Sequence, residues 1–472
     1  MNGWTVFKLE WQLMRRDRSV AWVLLIFAMF LVLASLAGGR DVARLQAGLD
    51  MSQAEVSERL EAHRQALVTL VGSSKPMTSK DPRNVSWMGQ QGAAQLATLP
   101  PAPLSFVAVG ARDLSPQALR MTSRVHLIQE RETETPMIGP SRLRTGAFDP
   151  AFIFVVLYPL AVIALSYQLL SGERERGTLA MLLSQPLSQT ALVGGKAAAR
   201  LVALCAVTLV FAVLGVLAAG ADLGAPGALT QVSLYTSVLV AWGTLWFAAA
   251  VWVNARGTSS THNALVLVGA WLVLVVVIPG LLQVGVDTFY PAPSRIELLH
   301  EARESTQAIE SELNALEGRH DINPKLGKTA QSIDAVQEKL AERAAPVLEA
   351  VSERRRERAE LVEKLRFLSP AIVVQLALED VAGTGHHRYE RFEAQSEAYH
   401  RQYRAFFSER LERAVSLDLE DLEQLPAFAF EEEETTALSS RVATNLGLLA
   451  ALAMLLLLAG RRGLSQIGRL TR

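Results

Sequence analysis

Six long apolar blocks interrupt this chain, and none carries Asp, Glu, Lys or Arg in its interior. They are Ser19–Ala37, Ala151–Leu170, Leu201–Ala221, Val232–Val253, Ala264–Val284 and Val442–Gly460. A helix needs roughly 20 apolar residues to cross a bilayer, and a charge inside hydrocarbon is costly. One such block would suit the core helix of a soluble protein, but six uncharged ones in 472 residues do not. The chain is therefore predicted to be an all-α polytopic membrane protein. Its six transmembrane helices carry two large, mainly helical extracytoplasmic insertions, residues 38–150 and 288–440. Ser35-Leu36-Ala37 would pass as a cleavage site, but the apolar run before it is longer than a signal core, so the first block is kept as an anchor.

The charges between blocks fix the expected orientation. Arg15, Arg16 and Arg18 precede the first block, and residues 171–200 hold Arg174, Arg176, Lys196 and Arg200. Asn254–His262 holds Arg256, and the tail 461–472 holds Arg461, Arg462, Arg469 and Arg472. The short loop Asp222–Thr230 has no Lys or Arg. By the positive-inside rule, both termini and residues 171–200 are expected in the cytoplasm.

Residues 1–18 read as an interfacial helix, with Trp4, Phe7, Trp11 and Met14 on one face. Asp41–Val71 has a helical apolar stripe through Val42, Leu45, Leu49, Val56, Leu60 and Leu67. Ser105–Val109 and Val125–Ile128 are strand candidates. Ile296–Leu316 and Ala330–Leu368 read as long charged helices, turned around Asp321–Pro324, with Glu353–Arg358 as a solvated face. Ala371–Leu378 is apolar enough to be buried against a partner or the membrane surface. His387–Ala414 reads as an amphipathic helix packing through Tyr389, Phe392, Tyr399, Tyr403 and Phe406. Tyr158-Pro159 is expected to kink the second crossing.

The motifs that would carry chemistry are weak. Gly194-Gly195-Lys196-Ala197 is not a phosphate loop: Thr190 stands where the first Gly is needed, and Ala197 replaces the Mg²⁺-binding Ser or Thr. ATP is not expected to bind this chain. His386, His387, Glu390 and His400 lack the His-Glu-x-x-His order of a zinc hydrolase, and packing or hydrogen bonding is the better reading. The lone Cys205 forms no disulfide or cysteine metal site within one copy. No catalytic residue, metal or cofactor is assigned.

The segment between the second and third blocks is left. Glu173, Arg174, Glu175 and Arg176 are followed by Gly177 and by Thr178, a candidate N-cap for a helix over 179–184. Leu179, Leu182 and Leu183 give that helix an apolar side, suited to a groove on a soluble partner. The sequence GERERGTLAMLLSQPLSQTALVGGK resembles the hallmark segment of ABC-2 type transporter permeases, in the subgroup with two large external loops. LPPAPLSFVAVGARDLSP and LSPAIVVQLALEDVAGTG resemble recurring stretches of those loops.

The resemblance implies a permease, with export as the expected direction, that pairs with a separate ATP-binding cassette ATPase holding the ATP and Mg²⁺. It also implies a second permease copy or paralogue. Glu173, Arg174, Glu175, Arg176, Gly177, Thr178 and Leu179, with Leu182 and Leu183, would form the coupling surface. The expected location is a bacterial inner membrane, in contact with lipid and with a periplasmic partner as a further candidate; nucleic acid is not an expected partner. Two alternatives stand beside this reading: a membrane-anchored scaffold or mechanotransmission protein, and a hydrolase built on His386, His387 and Glu390.

Overall fold

The computed structural model describes residues 3–70, 77–78, 80–113, 115–123, 148–183, 188–221, 223–256, 259–291 and 353–470 apart from 355, 359 and 414. The expected helices over 296–316 and 330–352, the turn at 321–324 and the strand at 125–128 lie outside these residues.

Six helices are long and apolar enough to span a membrane. They are α2 (Arg18–Leu70), α3 (Pro150–Glu175), α5 (Gln189–Ala218), α6 (Ala228–Asn254), α7 (Ser260–Phe289) and α10 (Thr435–Leu470). Helix α1 (Gly3–Met14) precedes them. The protein is an all-α, multi-pass membrane protein. Helix α6 lies at the centre, with Tyr235 and Trp242 fully buried against Phe154 and Tyr158 of α3. The Trp242 indole N–H donates to the Phe154 carbonyl at 2.9 Å, so the one polar atom of that ring is satisfied. Helices α2, α7 and α10 leave Trp22, Leu265, Leu281 and Leu455 exposed, as a lipid-facing surface would. Both chain termini lie at one end of the bundle, here the terminal end; the insertions lie at the other, the loop end.

Each prolyl kink is prepared by a widened turn. Residues Ile153–Leu157 form a π-helical turn just before Pro159, and Leu272–Val277 form another just before Pro279. Proline lacks an N–H and crowds the preceding turn, and a π-turn loosens the ladder there.

Helix α2 runs unbroken for 53 residues, through Gly38-Gly39, and two expectations change. A Cβ at Gly38 would collide with the Phe106 carbonyl, so the glycine serves close approach and not a break. Ser105–Val109 is a buried string of turns, while the strands are β1 (Gln95–Thr98) and β2 (Ala118–Met121), paired antiparallel with Gln95 opposite Met121. The continuous apolar run 106–109 is buried on the bundle instead of joining a ladder, with Val107 and Ala108 fully buried in the main core. Helix α8 (Pro370–Ala382) is buried by this chain's own bundle, not by a partner. It inserts between α6, α7 and α10, and its N-cap Ser369 donates its hydroxyl to the Leu274 carbonyl of α7 at 2.5 Å.

The two insertions share one second core. Helix α9 (His386–Glu412) sends Tyr389, Phe392, Tyr399, Tyr403 and Phe407 into it, against Leu67 of α2, Met88, Leu119 and Met121. Phe406, expected inside, is half-buried, and its neighbour Phe407 takes the buried place. Cross-links join the insertions: Tyr403 donates to the Ala93 carbonyl at 2.7 Å, Arg64 pairs with Glu423 at 2.9 Å, and the Leu417 N–H donates to the Arg83 carbonyl at 3.1 Å. The apolar stripe of α2 is used as its spacing implied, with Leu49 and Leu67 buried and Leu60 half-buried. Arg358 does not belong to a wholly solvated face, since it pairs with Asp287 of α7.

Candidate functional site

Residues 171–200 form a hairpin at the terminal end of the bundle. The last turn of α3 is Ser171–Glu175, Gly177 turns the chain with φ +72°, and a short helix α4 (Leu179–Leu183) follows. Only glycine adopts that φ without strain, so the turn is written into the Gly-Thr pair. Residues 184–187, including Pro186, lie outside the described residues. Ser188 then caps α5, its hydroxyl accepting the Ala191 N–H at 3.1 Å.

The two carboxylates of the hairpin reach different helices. Glu173 accepts from Lys196 Nζ of α5 at 2.7 Å, a pair of which Lys196 is 8% exposed. The Thr178 hydroxyl donates to the other oxygen of Glu173, and the Thr178 carbonyl accepts the Leu182 N–H at 3.0 Å, as an N-cap residue's does. Glu175 takes the Ser260 N–H at 2.6 Å and the Ser260 hydroxyl at 2.9 Å. Ser260 opens α7, so Glu175 satisfies an orphan donor at a helix N-terminus, where negative charge is favoured. The hairpin is therefore bonded to α5 through one carboxylate and to α7 through the other.

Beneath it lies a buried amide-and-hydroxyl latch. Asn254, at the end of α6, donates to the Ser166 and Ala250 carbonyls at 3.1 and 2.9 Å. Its oxygen accepts from the Leu170 N–H at 3.2 Å and from Asn263 Nδ2 at 3.1 Å. Asn263 Nδ2 also reaches the Tyr167 carbonyl and the Ser171 hydroxyl, both at 3.2 Å, and Ser171 and Ser260 hydroxyls meet at 2.9 Å. Helices α3, α6 and α7 are thus tied together at one level. Buried polar networks of this kind fix a unique geometry when satisfied.

Helix α1 closes the other side. Glu10, 5% exposed, accepts from Arg200 Nε of α5 at 2.9 Å, and Arg200 also donates to the Leu165 carbonyl of α3. Met14 packs on Ala199 and Ala203, with Phe7 and Trp11 alongside, while Trp4 stays exposed and stacks on Phe7 at 5.0 Å. A Cβ at Gly195 would lie 2.8 Å from the Gly3 carbonyl oxygen and 2.9 Å from Val6 Cβ. The Gly-Gly-Lys triplet therefore seats α1 and pairs Glu173. Asp17 starts α2: its carboxylate accepts the Ser19 hydroxyl and N–H, which hold its pKa below the usual range.

What the hairpin leaves outward is narrower than the sequence pattern. Glu175, Arg176, Gly177 and Met181 are exposed, while Glu173, Arg174, Thr178, Leu179 and Leu182 are half-buried. Leu179 and Leu182 pack against the bundle's own core. Leu183 ends the helix at backbone level. The most exposed part of the hairpin, beyond Glu175, is Arg176, Gly177 and Met181. Sequence reasoning missed Lys196, Arg200, Glu10, Asn254, Ser260 and Asn263. The visible signal was polar residues standing where apolar blocks begin and end.

The alternative histidine site is structural in appearance. His386 Nε2 lies 3.0 Å from Glu390 and His387 Nδ1 3.7 Å from it, while His400 meets the Thr122 carbonyl at 3.1 Å. Among the described residues no group of three or more His, Cys, Asp or Glu side chains converges as metal ligands would.

A family model described as ABC-2 family transporter protein matches residues 4–460. No curated protein matches the chain.

Proposed function

The chain belongs to the ABC-2 family of transporter proteins, and from that premise we propose that it is the permease subunit of an ATP-driven exporter whose hairpin at 171–200 docks on a separate ATPase. The family makes it a membrane transport component, and it implies association with an ATP-binding cassette ATPase. ATP and Mg²⁺ belong to that partner. The terminal end faces the cytoplasm of a bacterial cell, the loop end faces the periplasm, and a second copy or a paralogue completes the transport unit.

One observation carries the reading: the exposed turn at Arg176-Gly177 directly follows two carboxylates, Glu173 and Glu175, that are bonded to two different membrane helices. A force on Arg176 or Met181 reaches α5 through Glu173–Lys196 and α7 through Glu175–Ser260. By linkage, the ATPase drives the change only if it binds two arrangements of the hairpin with different free energy. A second reading keeps the coupling and drops transport: α2 runs unbroken from the bundle into the shared core of the insertions, which suits mechanical work on a periplasmic partner.

The test is a pull-down of the tagged chain from its native membrane, with bound proteins identified by mass spectrometry. The variant is Arg176→Glu with Met181→Glu, because Glu173 and Glu175 hold the hairpin to α5 and α7. An ATP-binding protein is expected with wild type and not with the variant, at unchanged melting temperature. No ATPase with wild type, or equal recovery with both, would sink the coupling role.

A further inference from the structure

At the loop end, helices α7 and α8 diverge around a cavity of about 340 Å³, closed on the third side by Val362 and Leu365. That volume is within the range of small-molecule sites, about 300–1,000 Å³. Its walls come from one face of each helix: 279, 282, 283 and 286 on α7, and 371, 372, 375, 376 and 379 on α8. These are the i, i+3, i+4 spacings that share a helix face.

The lining is graded. Val155, Val275 and Ile372 form the deep end, near the level where Ser369 bonds the Leu274 carbonyl. Gln283, Gln375 and Glu379 form the shallow end, toward the insertions. From Val275 to Val286 the helix rises about 16 Å, so apolar depth and polar mouth are well separated. The opposite outward face of α7 shows Leu281 and Val284, the surface expected to meet lipid.

Glu379 is the anomaly. One oxygen accepts from Gln375 Nε2 at 2.7 Å, and among the described residues no cation pairs with the carboxylate. Among the described residues, the cations around this end of the bundle are engaged elsewhere. Arg441 is held by Glu433 at 2.6 Å and lies 3.7 Å from Asp380, Arg366 is held by Glu363 at 3.1 Å, Arg358 by Asp287, and His387 lies against Glu390. The charges that act on Glu379 itself, Asp380 and Asp149, are both acidic. Burial first, then these two carboxylates, push its pKa up to about 7.

We propose that this cavity binds a cationic amphiphile, an amine head on a single apolar chain, with the head at Glu379 and the chain toward Val275. The walls accept the chain, and the mouth supplies an acidic group that lacks a counter-charge. A neutral or acidic head would leave Glu379 uncompensated or repelled. The site does not depend on the coupling role of the hairpin, and its test needs no ATPase.

The full chain in lipid nanodiscs is titrated with radiolabelled dodecylamine and, separately, dodecanol, with empty nanodiscs subtracted. At about pH 8, where Glu379 is ionised, the amine is expected to bind saturably and at least about tenfold tighter than the alcohol. At about pH 5 the carboxyl is protonated and the gap narrows. Glu379→Gln removes the amine preference and keeps alcohol binding, and Ile372→Trp, which fills the deep end, removes both. The proposal is overturned by absent saturable binding, by equal affinity for amine and alcohol in wild type, or by a preference that survives Glu379→Gln. The pH series on wild type decides the matter even if a variant fails to fold.

Discussion

Two ends of one helical bundle treat buried polar groups in opposite ways. At the terminal end Asn254 satisfies both amide atoms and Glu173 sits against Lys196, with Asn263 Oδ1 the one amide atom of the latch left without a partner among the described residues. Toward the loop end, among the described residues, Asn445 of α10, 2% exposed, has neither amide atom partnered, and Glu379 has a glutamine but no cation. A satisfied network resists rearrangement, whereas an unsatisfied buried group marks where another arrangement or a ligand is favoured. The terminal end is the more fully bonded of the two, and the loop end the less.

The sharpest way to break this contrast is Lys196→Met. Losing one partner of a buried pair strands the other, so stability should fall by about 3–5 kcal/mol. Adding Glu173→Met should recover most of it. Unfolding in detergent checks both, and additive losses in the double variant would mean that the pair is not coupled.

Next is pH. Glu379 has a folded pKa of about 7, above its ordinary value of 4.5, so the folded state holds the proton more tightly than the unfolded chain. Its contribution is fully present below about pH 4.5 and declines as pH rises to about 7, by at most on the order of 3 kcal/mol. Glu379→Gln should flatten that slope in thermal melts between about pH 5 and 8. An unchanged slope would show that another group is responsible.

Asn254→Leu should cost about 2 kcal/mol, because it strands the Leu170 N–H and the Ser166 carbonyl in the latch. The smallest effect sharpens the other side. Asn445→Leu should stabilise this conformation by about 1 kcal/mol, since it removes two unpaired polar atoms of similar volume. A destabilised Asn445→Leu in the same melts would mean that the amide has a partner after all, and the contrast between the ends would collapse.

The parts legible in the sequence were those that depend on runs and local spacing. Uncharged blocks gave six membrane helices, and Gly177-Thr178 gave the turn of the hairpin. Long-range pairings were not legible: Glu10 with Arg200, and Asn254 with Asn263 across the 254–262 loop, need the bundle to bring them together. Gly38 and Gly195 act through what approaches them and not through their own torsions, which local spacing does not display. Leu179 and Leu182 are half-buried against the bundle's own core, and in sequence an apolar helix face looks the same whichever surface covers it.

The unbroken α2 has a mechanical consequence. Beyond Gly38 it continues for 32 residues to Leu70, or about 48 Å at 1.5 Å per residue. Such a rod is a lever arm with its fulcrum in the bilayer. A tilt of about 10° within the bundle, of the order seen in packed-helix rearrangements, would swing the tip by about 8 Å. Leu60 and Leu67 near that tip belong to the second core, so the cargo of the swing is the shared core of the insertions itself, and a small motion at the membrane becomes a stroke outside it.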